Sequence, residues 1–226
     1  MSQFDLVILG GGSGGYAAAL RGAQLGLTVA LIEADKVGGT CLHRGCIPTK
    51  ALLHAAEIAD GAREGSHFGV KSTFDGIDMV GVNSYKDGVI NKLHKGLSGL
   101  VKSRNITYVE GYGKLVSKDT VEVNGVRYTG KNVILATGSY AKTLPGLEID
   151  GEKIITSDHG TKMNYVPKSV IVLGGGVIGC EFASVWKSFG SEVTIIEGLP
   201  HLIALEDESS SKQLERAFRK RGINFE

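Results

Sequence analysis

Two stretches of the chain share one order of apolar and polar positions. The first opens with LVIL (residues 6–9), four apolar residues without interruption. Such a run suits a strand buried on both faces of a parallel sheet. A glycine turn follows, then AAALRGAQLG with helical spacing, then TVALIE, an apolar strand that ends in glutamate. The second stretch repeats the plan with VIVL (170–173), a glycine turn, CEFASVWKSFG and EVTIIE. Gly26 and Gly190 stand where each helix must stop, and a left-handed glycine there predicts the stop. Gly10, Gly12, Gly15, Gly26, Val29, Ile32 and Glu33 align with Gly174, Gly176, Gly179, Gly190, Val193, Ile196 and Glu197, every pair 164 apart. That period is too long for a solenoid, so one supersecondary unit is used twice.

Between the copies, residues 41–63 read as a helix and 64–79 as a polar loop. Residues 83–104 set Val89, Ile90, Leu93, Leu97, Leu100 and Val101 at helical spacing beneath a basic face, the pattern of a solvated amphipathic helix. Three strands follow: ITYVEG, TVEVNGVRY and KNVILATGS. The last runs into small residues, where backbone can approach a ligand.

Each copy reads strand–GxGxxG–helix–strand–acid, with the acid eighteen residues past the last glycine. This is a dinucleotide-binding pattern, and it predicts an α/β chain with two Rossmann-like domains. Gly10 and Gly174 make the tight turn, Gly12 and Gly176 admit a pyrophosphate, and Gly15 and Gly179 bring helix and strand together. Gly14, Val177 and Ile178 belong to the same helix openings, whose free N–H groups face the phosphates. Glu33 and Glu197 can accept hydrogen bonds from a ribose. A 2′-phosphate beside Glu197 would be repelled, and no Arg or Lys follows in GLPHLIAL, which favours NAD over NADP. Glu33 likewise suits the unphosphorylated ribose of FAD.

Composition narrows the partners. Of 226 residues, 42% are hydrophobic, which is enough for a sizeable core. A net charge of +1 provides no field for nucleic acid or a membrane surface. No apolar run reaches the roughly 18–20 residues that span a bilayer. The first strand starts at residue 4, leaving no room for a signal peptide, so the expected compartment is the reducing cytoplasm. There a structural disulfide is a poorer reading of Cys41 and Cys46 than a catalytic or metal role. Zinc needs about four ligands, and only one cysteine pair is present. Gly45 and Pro48 make an irregular turn, which argues against a plain packing pair. A redox dithiol fits better than either. Five residues of regular helix rise about 7.5 Å, more than a disulfide's Cα separation of roughly 4.4–6.8 Å, so the turn must be distorted. Gly45 allows that distortion.

The stretch GGTCLHRGCIPTK (38–50) closely resembles the GGTCxxxGCxP[ST]K signature of the FAD-dependent pyridine nucleotide–disulfide oxidoreductases. The two fingerprints and the ATG segment follow that family's order, over essentially the whole chain. Within it the resemblance is to the NAD-linked branch that oxidises dihydrolipoamide. Glutathione, mycothiol and mercuric reductases share the motif and are the alternative members. A non-catalytic FAD- or nucleotide-binding module is the alternative outside enzymes.

The resemblance implies FAD and NAD as cofactors and lipoyl groups of 2-oxoacid dehydrogenase complexes as partners. It implies that Cys46 is the thiol beside the flavin and Cys41 the thiol that exchanges with the substrate, forming one disulfide. Lys50 would lie near the flavin and pair with Glu181. Gly39 and Thr40 would contact the cofactor just before Cys41. Gly113 would present backbone to the adenine, and Thr137 and Gly138 would close over the cofactor. Cys180 matches no family role and reads as a packing residue. His43 and Arg44 replace the commoner residues inside the motif, and His43 reads as packing rather than as a base. The expected domains are 1–147 for FAD and 148–226 for part of the NAD domain. The dimerisation domain and the family's His–Glu base would lie outside these residues. The family's homodimer is therefore not expected of this stretch alone.

Overall fold

A computed structural model describes residues 2–226. In chain order the elements are β1 (Ser2–Leu9), α1 (Ser13–Gln24), β2 (Val29–Glu33), α2 (Gly39–His43), α3 (Cys46–Glu64), a 3₁₀ turn (Gly65–Phe68) and α4 (Met79–Ser103). Then come β3 (Thr107–Glu110), β4 (Lys114–Ser117), β5 (Thr120–Val123), β6 (Val126–Leu135) and α5 (Ser157–Gly160). The chain ends with β7 (Ser169–Leu173), α6 (Val177–Phe189), β8 (Glu192–Ile196), α7 (Glu208–Lys220) and β9 (Asn224–Phe225). The chain divides into two compact units: Met1–Ile47 with Gly88–Lys142, and Pro48–Asp87 with Thr143–Glu226. Among the described residues no helix is long and apolar enough to cross a membrane.

The first unit is built on a six-stranded sheet of order β3-β2-β1-β6-β5-β4. β3, β2, β1 and β6 run parallel, and β5 and β4 add an antiparallel edge. The unbroken apolar run is used on both faces. Val7, Ala30 and Ile32 pack with Val121 and Val123 on one side. Leu6, Ile8, Val29 and Leu31 pack with Ala19 of α1 and Val101 of α4 on the other. Burial on both faces is what excludes polar residues from these strands.

The segment TVEVNGVRY is not the single strand its composition predicts. Asn124 and Gly125 both take positive φ, 50° and 79°, and turn the chain back as a two-residue hairpin. β6 then runs unbroken through residues 126–135, and a further strand, β4, precedes the hairpin. The amphipathic helix also starts earlier than predicted, at Met79.

The second unit repeats the β-α-β core as the parallel sheet β7-β8-β9. Phe182, Val185, Trp186 and Phe189 of α6 pack with Val193, Ile195, Leu202, Phe218 and Ile223. Leu52 and Ala56 of α3 join the same cluster. The opposite face of β7 leaves Ile171 71% and Leu173 54% exposed. The chain is thus an α/β protein with a parallel-rich, Rossmann-like architecture.

One ion pair ties the lower end of the first sheet. Asp5 accepts hydrogen bonds from the N–H and hydroxyl of Thr28, at 2.9 and 2.8 Å, and pairs with Lys131 at 2.7 Å. The Lys131 ammonium, then the Thr28 donors, hold the Asp5 carboxyl well below the usual carboxylate range. A depressed carboxyl adds stability above its unfolded value, near about 3.9, and that stability is lost as pH falls below it. Asp5→Asn is therefore expected to lower the melting temperature at neutral pH. Thermal melts followed by circular dichroism should show the gap to the parent closing below about pH 4. A gap that is constant across the acid range refutes the assignment.

Candidate nucleotide cradles and dithiol turn

Both glycine turns are braced by the acid at the end of the following strand. Gly11 N–H donates to Glu33 Oε2 at 2.6 Å, and Gly175 N–H donates to Glu197 Oε2 at 2.6 Å. The second oxygen of each accepts from a backbone N–H two residues on, Asp35 and Leu199, each at 2.9 Å. Each carboxylate retains lone pairs for a further donor. The carbonyl of the same turn residue is also held. Gly11 O accepts from Gly38 N–H at 2.8 Å, and Gly175 O from Ile203 N–H at 2.7 Å.

The glycines of these turns serve different ends. A Cβ at Gly15 would overlap the Gly10 carbonyl, and one at Gly179 would overlap the Gly174 carbonyl. A Cβ at Gly10 would overlap the carbonyl of Ala136, where β6 ends. Protein packing alone demands glycine at these positions. Gly12 and Gly176 are unlike them. Their φ values, −71° and −70°, suit any residue. A Cβ at Gly12 would make only an ordinary contact with Gly39, and one at Gly176 would meet nothing. These two glycines leave free space at a helix N-terminus whose first N–H groups have no intrahelical partner. That is a cradle a pyrophosphate fits.

The remaining predicted residues of the first unit gather around its turn. Gly39 lies against Gly12. Thr137 and Gly138 follow directly on Ala136, whose N–H donates to Leu9 O at 2.8 Å. Gly113 rests on Leu9, Ile32 and Val121, with no room for a side chain. Gly14 lies on the first turn of α1, and Thr40 precedes Cys41 in α2.

The dithiol turn is not one continuous helix. α2 carries Cys41 and ends at His43, and α3 begins at Cys46. The break at Arg44 and Gly45 is the predicted distortion. All three cysteines are free thiols, with Cys46 exposed, Cys41 half-buried and Cys180 buried. Burial, then the neighbouring Cys46, pushes the Cys41 thiol up, and a hydrogen bond with Ser13 opposes the shift. Ser13 was not singled out by the sequence. Its place beside Cys41 follows from the contact of Gly12 with Gly39. His43 bonds through Nε2 to Val37 O at 2.9 Å and meets the ring of His94 edge-on at 5.0 Å. It is a packing histidine.

In the second unit, Lys50 Nζ pairs with Glu181 Oε1 at 2.5 Å across 131 residues of sequence. Val177 and Ile178 open α6 with exposed side chains. Cys180 packs in the core, and its thiol also donates to Gly175 O at 3.3 Å. Burial, then Glu197 and Glu181, raises that thiol to about 11. Among the described residues no three His, Cys, Asp or Glu side chains are grouped to hold a metal.

The family model for pyridine nucleotide-disulphide oxidoreductases matches residues 4–226. The chain belongs to the pyridine nucleotide-disulphide oxidoreductase family. It is 44% identical to a dihydrolipoyl dehydrogenase of Bacillus subtilis (strain 168), over 99% of this chain and 50% of that protein. It is 42% identical to a mitochondrial dihydrolipoyl dehydrogenase of Pisum sativum, over 98% and 46%. Among solved structures it is similar to the HOCl-induced flavoprotein disulfide reductase RclA of Escherichia coli, determined as a Cu(II) complex. The TM-score there is 0.83 and the identity 28%, over 100% of this chain and 49% of that one. The chain spans about half the length of the curated relatives it matches. Members of this disulphide oxidoreductase family use FAD and NAD.

The glycine analysis separates two kinds of loss. Gly15→Ala is expected to cost about 1–3 kcal/mol of stability through overpacking. Gly12→Ala should leave stability within about 0.5 kcal/mol of the parent. Urea unfolding of the two variants checks this, and equal midpoints would contradict it.

Proposed function

We propose that the protein carrying this chain is a dihydrolipoyl dehydrogenase: dihydrolipoamide and NAD⁺ give lipoamide, NADH and H⁺. The observation that carries the reading is the Cys41–Cys46 turn set against the Gly12 cradle, in a chain 44% identical to a protein of that name. Residues 1–147 would form the FAD-binding domain and 148–226 part of the NAD-binding domain. When bound, FAD supplies a two-electron relay between nicotinamide and sulfur. Gly10, Gly12, Gly14, Gly15, Gly39 and Thr40 would bind its pyrophosphate region, with Glu33 on the ribose. Gly113, Thr137 and Gly138 would complete that site. Gly174, Gly176, Val177, Ile178 and Gly179 would bind NAD, with Glu197 on its ribose.

The sulfur chemistry is an exchange. A substrate thiolate attacks Cys41 Sγ of the Cys41–Cys46 disulfide, and Cys46 leaves with the S–S electron pair. The second substrate thiolate then attacks its own sulfur in the mixed disulfide and releases Cys41. Two electrons pass from substrate to the cysteine pair, and NAD⁺ is the final acceptor. Lys50, held by Glu181, would keep a positive charge one helical turn beyond Cys46. The partners would be lipoyl groups of 2-oxoacid dehydrogenase complexes, the compartment the cytoplasm, and the working form a homodimer longer than this stretch.

A second reading, a nucleotide-binding module without turnover, rests on the Gly12 and Gly176 cradles alone, which need no sulfur chemistry.

Cys41→Ser separates the two. In the full-length protein it is expected to reduce dihydrolipoamide-dependent NADH formation at least about 10³-fold, since the disulfide that the substrate thiolate attacks can no longer form, with flavin absorbance retained. Turnover that survives the substitution would refute the dithiol reading. Glu197→Ala should weaken discrimination against NADPH roughly tenfold, read as the ratio of kcat/KM values.

A further inference from the structure

The helix that carries Cys41 is short and held at both ends. α2 has five residues, Gly39–His43. A helix of that length has no stability of its own in water, so its surroundings fix it. Its N-terminal end is pinned to the first glycine turn, where Gly38 N–H donates to Gly11 O at 2.8 Å. Its C-terminal end is held through His43. The His43 ring bonds through Nε2 to Val37 O at 2.9 Å and meets His94 of α4 edge-on at 5.0 Å. Val37 is itself buried in the cluster that holds Leu97 and Val101 of α4, and its backbone is hydrogen-bonded to the Tyr108 hydroxyl. Two contacts thus join α4 to the α2 segment. One is apolar and indifferent to pH, and the other lies between two imidazoles.

The imidazole contact is sensitive to acid. Among the described residues His54 and His201 meet carboxylates, and His43 and His94 do not. Lys36 acts on the His94 ring from the loop before α2. Arg44 follows His43 and Lys95 follows His94, so the charges flanking the pair along the chain are positive. Glu33, Asp35 and Glu110 act on Tyr108, whereas the charges acting on His94 are those of His43 and Lys36. Burial, then His43 and Lys36, holds the His94 ring below its ordinary value near about 6.5. A depressed base binds its proton more weakly in the folded state. The contact therefore contributes fully above about pH 6.5 and is lost as pH falls below it. Two imidazoles pack ring to ring while one is neutral, and two imidazolium ions at this distance repel.

We propose that the His43–His94 contact is an acid-sensitive latch on the dithiol helix: when His94 takes up a proton, the C-terminal end of α2 loosens from α4, between Cys41 and Cys46. The inference rests on the reading of Cys41 as the exchanging thiol. It adds a regulation of that site by pH.

Hydrogen exchange in the full-length, flavin-bound protein tests it, read by mass spectrometry with fragmentation to single amides. The reporter is Arg44 N–H, which donates to Thr40 O at 2.8 Å and closes α2, and Gly38 N–H is the internal control. Each rate is divided by the intrinsic rate at the same pH to give a protection factor. From about pH 7.5 to about pH 5, protection at Arg44 in the parent is expected to fall roughly tenfold, and at Gly38 by less than about twofold. In His94→Gln the fall at Arg44 should vanish. His94→Lys, charged at both pH values, should show the low protection throughout. Protection at Arg44 that is independent of pH in the parent, or that falls equally in His94→Gln, would overturn the proposal. Should His94→Gln fail to fold, the parent decides: protection must drop with the titration of the His94 ring followed by NMR, and a drop at another pH overturns it.

The exchange measurement needs no turnover. A working latch in a protein without lipoamide turnover would defeat only the reaction reading, and pH-independent protection in an active protein would defeat only the latch.

Discussion

The structure depends on one hydrogen bond made twice. A glutamate at the end of a parallel strand accepts from the middle N–H of the glycine turn that precedes it, at 2.6 Å in both copies. A charge-assisted bond of this kind is about twice as strong as a neutral one. It ties the turn to the neighbouring strand, so the helix opening is aimed before any ligand arrives. Gly15 and Gly179 then allow the helix to approach its own strand, and Gly12 and Gly176 leave the space above it free.

The two copies diverge beyond that shared bond. In the first, β6 lies beside β1, and the Ala136 carbonyl fills the region where a Cβ on Gly10 would fall. In the second, nothing lies within 4 Å of the corresponding position at Gly174. The brace of the turn differs too. Gly39, with φ of 58°, packs on Gly12. Ile203, 164 residues later, also takes positive φ, 47°, and does so with a β-branched side chain. That conformation is costly for isoleucine and persists only where the surroundings impose it. Leu202 supplies the constraint: its carbonyl accepts from Ser211 at 2.6 Å and its side chain is buried in the core. Both turns are held by a backbone hydrogen bond, and in the second the residue that donates it is fixed by side-chain packing.

The dithiol turn inherits its position from the first copy. Gly38 and Gly39 are bound to the glycine turn, and α2 starts from them. Cys41 is placed beside Ser13 of α1 as a consequence. The redox motif and the nucleotide motif are one piece of backbone, joined by the hydrogen bond from Gly38 to Gly11.

Much of this was legible in the sequence because it is local. The unbroken apolar runs reported strands buried on both faces. Glycine spacing reported the turns, and the terminal acids reported their brace. The break between α2 and α3 was legible as well, since a dithiol five residues apart cannot close on a regular helix. The Asn124–Gly125 hairpin carried its signal in the dipeptide, and the β-rich residues on either side hid it as one strand. The bond from Lys50 to Glu181 spans 131 residues, and only resemblance suggested it. The contact of Ser13 with Cys41 and the left-handed Ile203 left no trace in composition or period. Each depends on which groups the folded chain brings within a few ångströms. Local backbone preference and burial pattern are properties of the sequence itself, whereas whether a polar group finds a partner is decided only when distant segments meet.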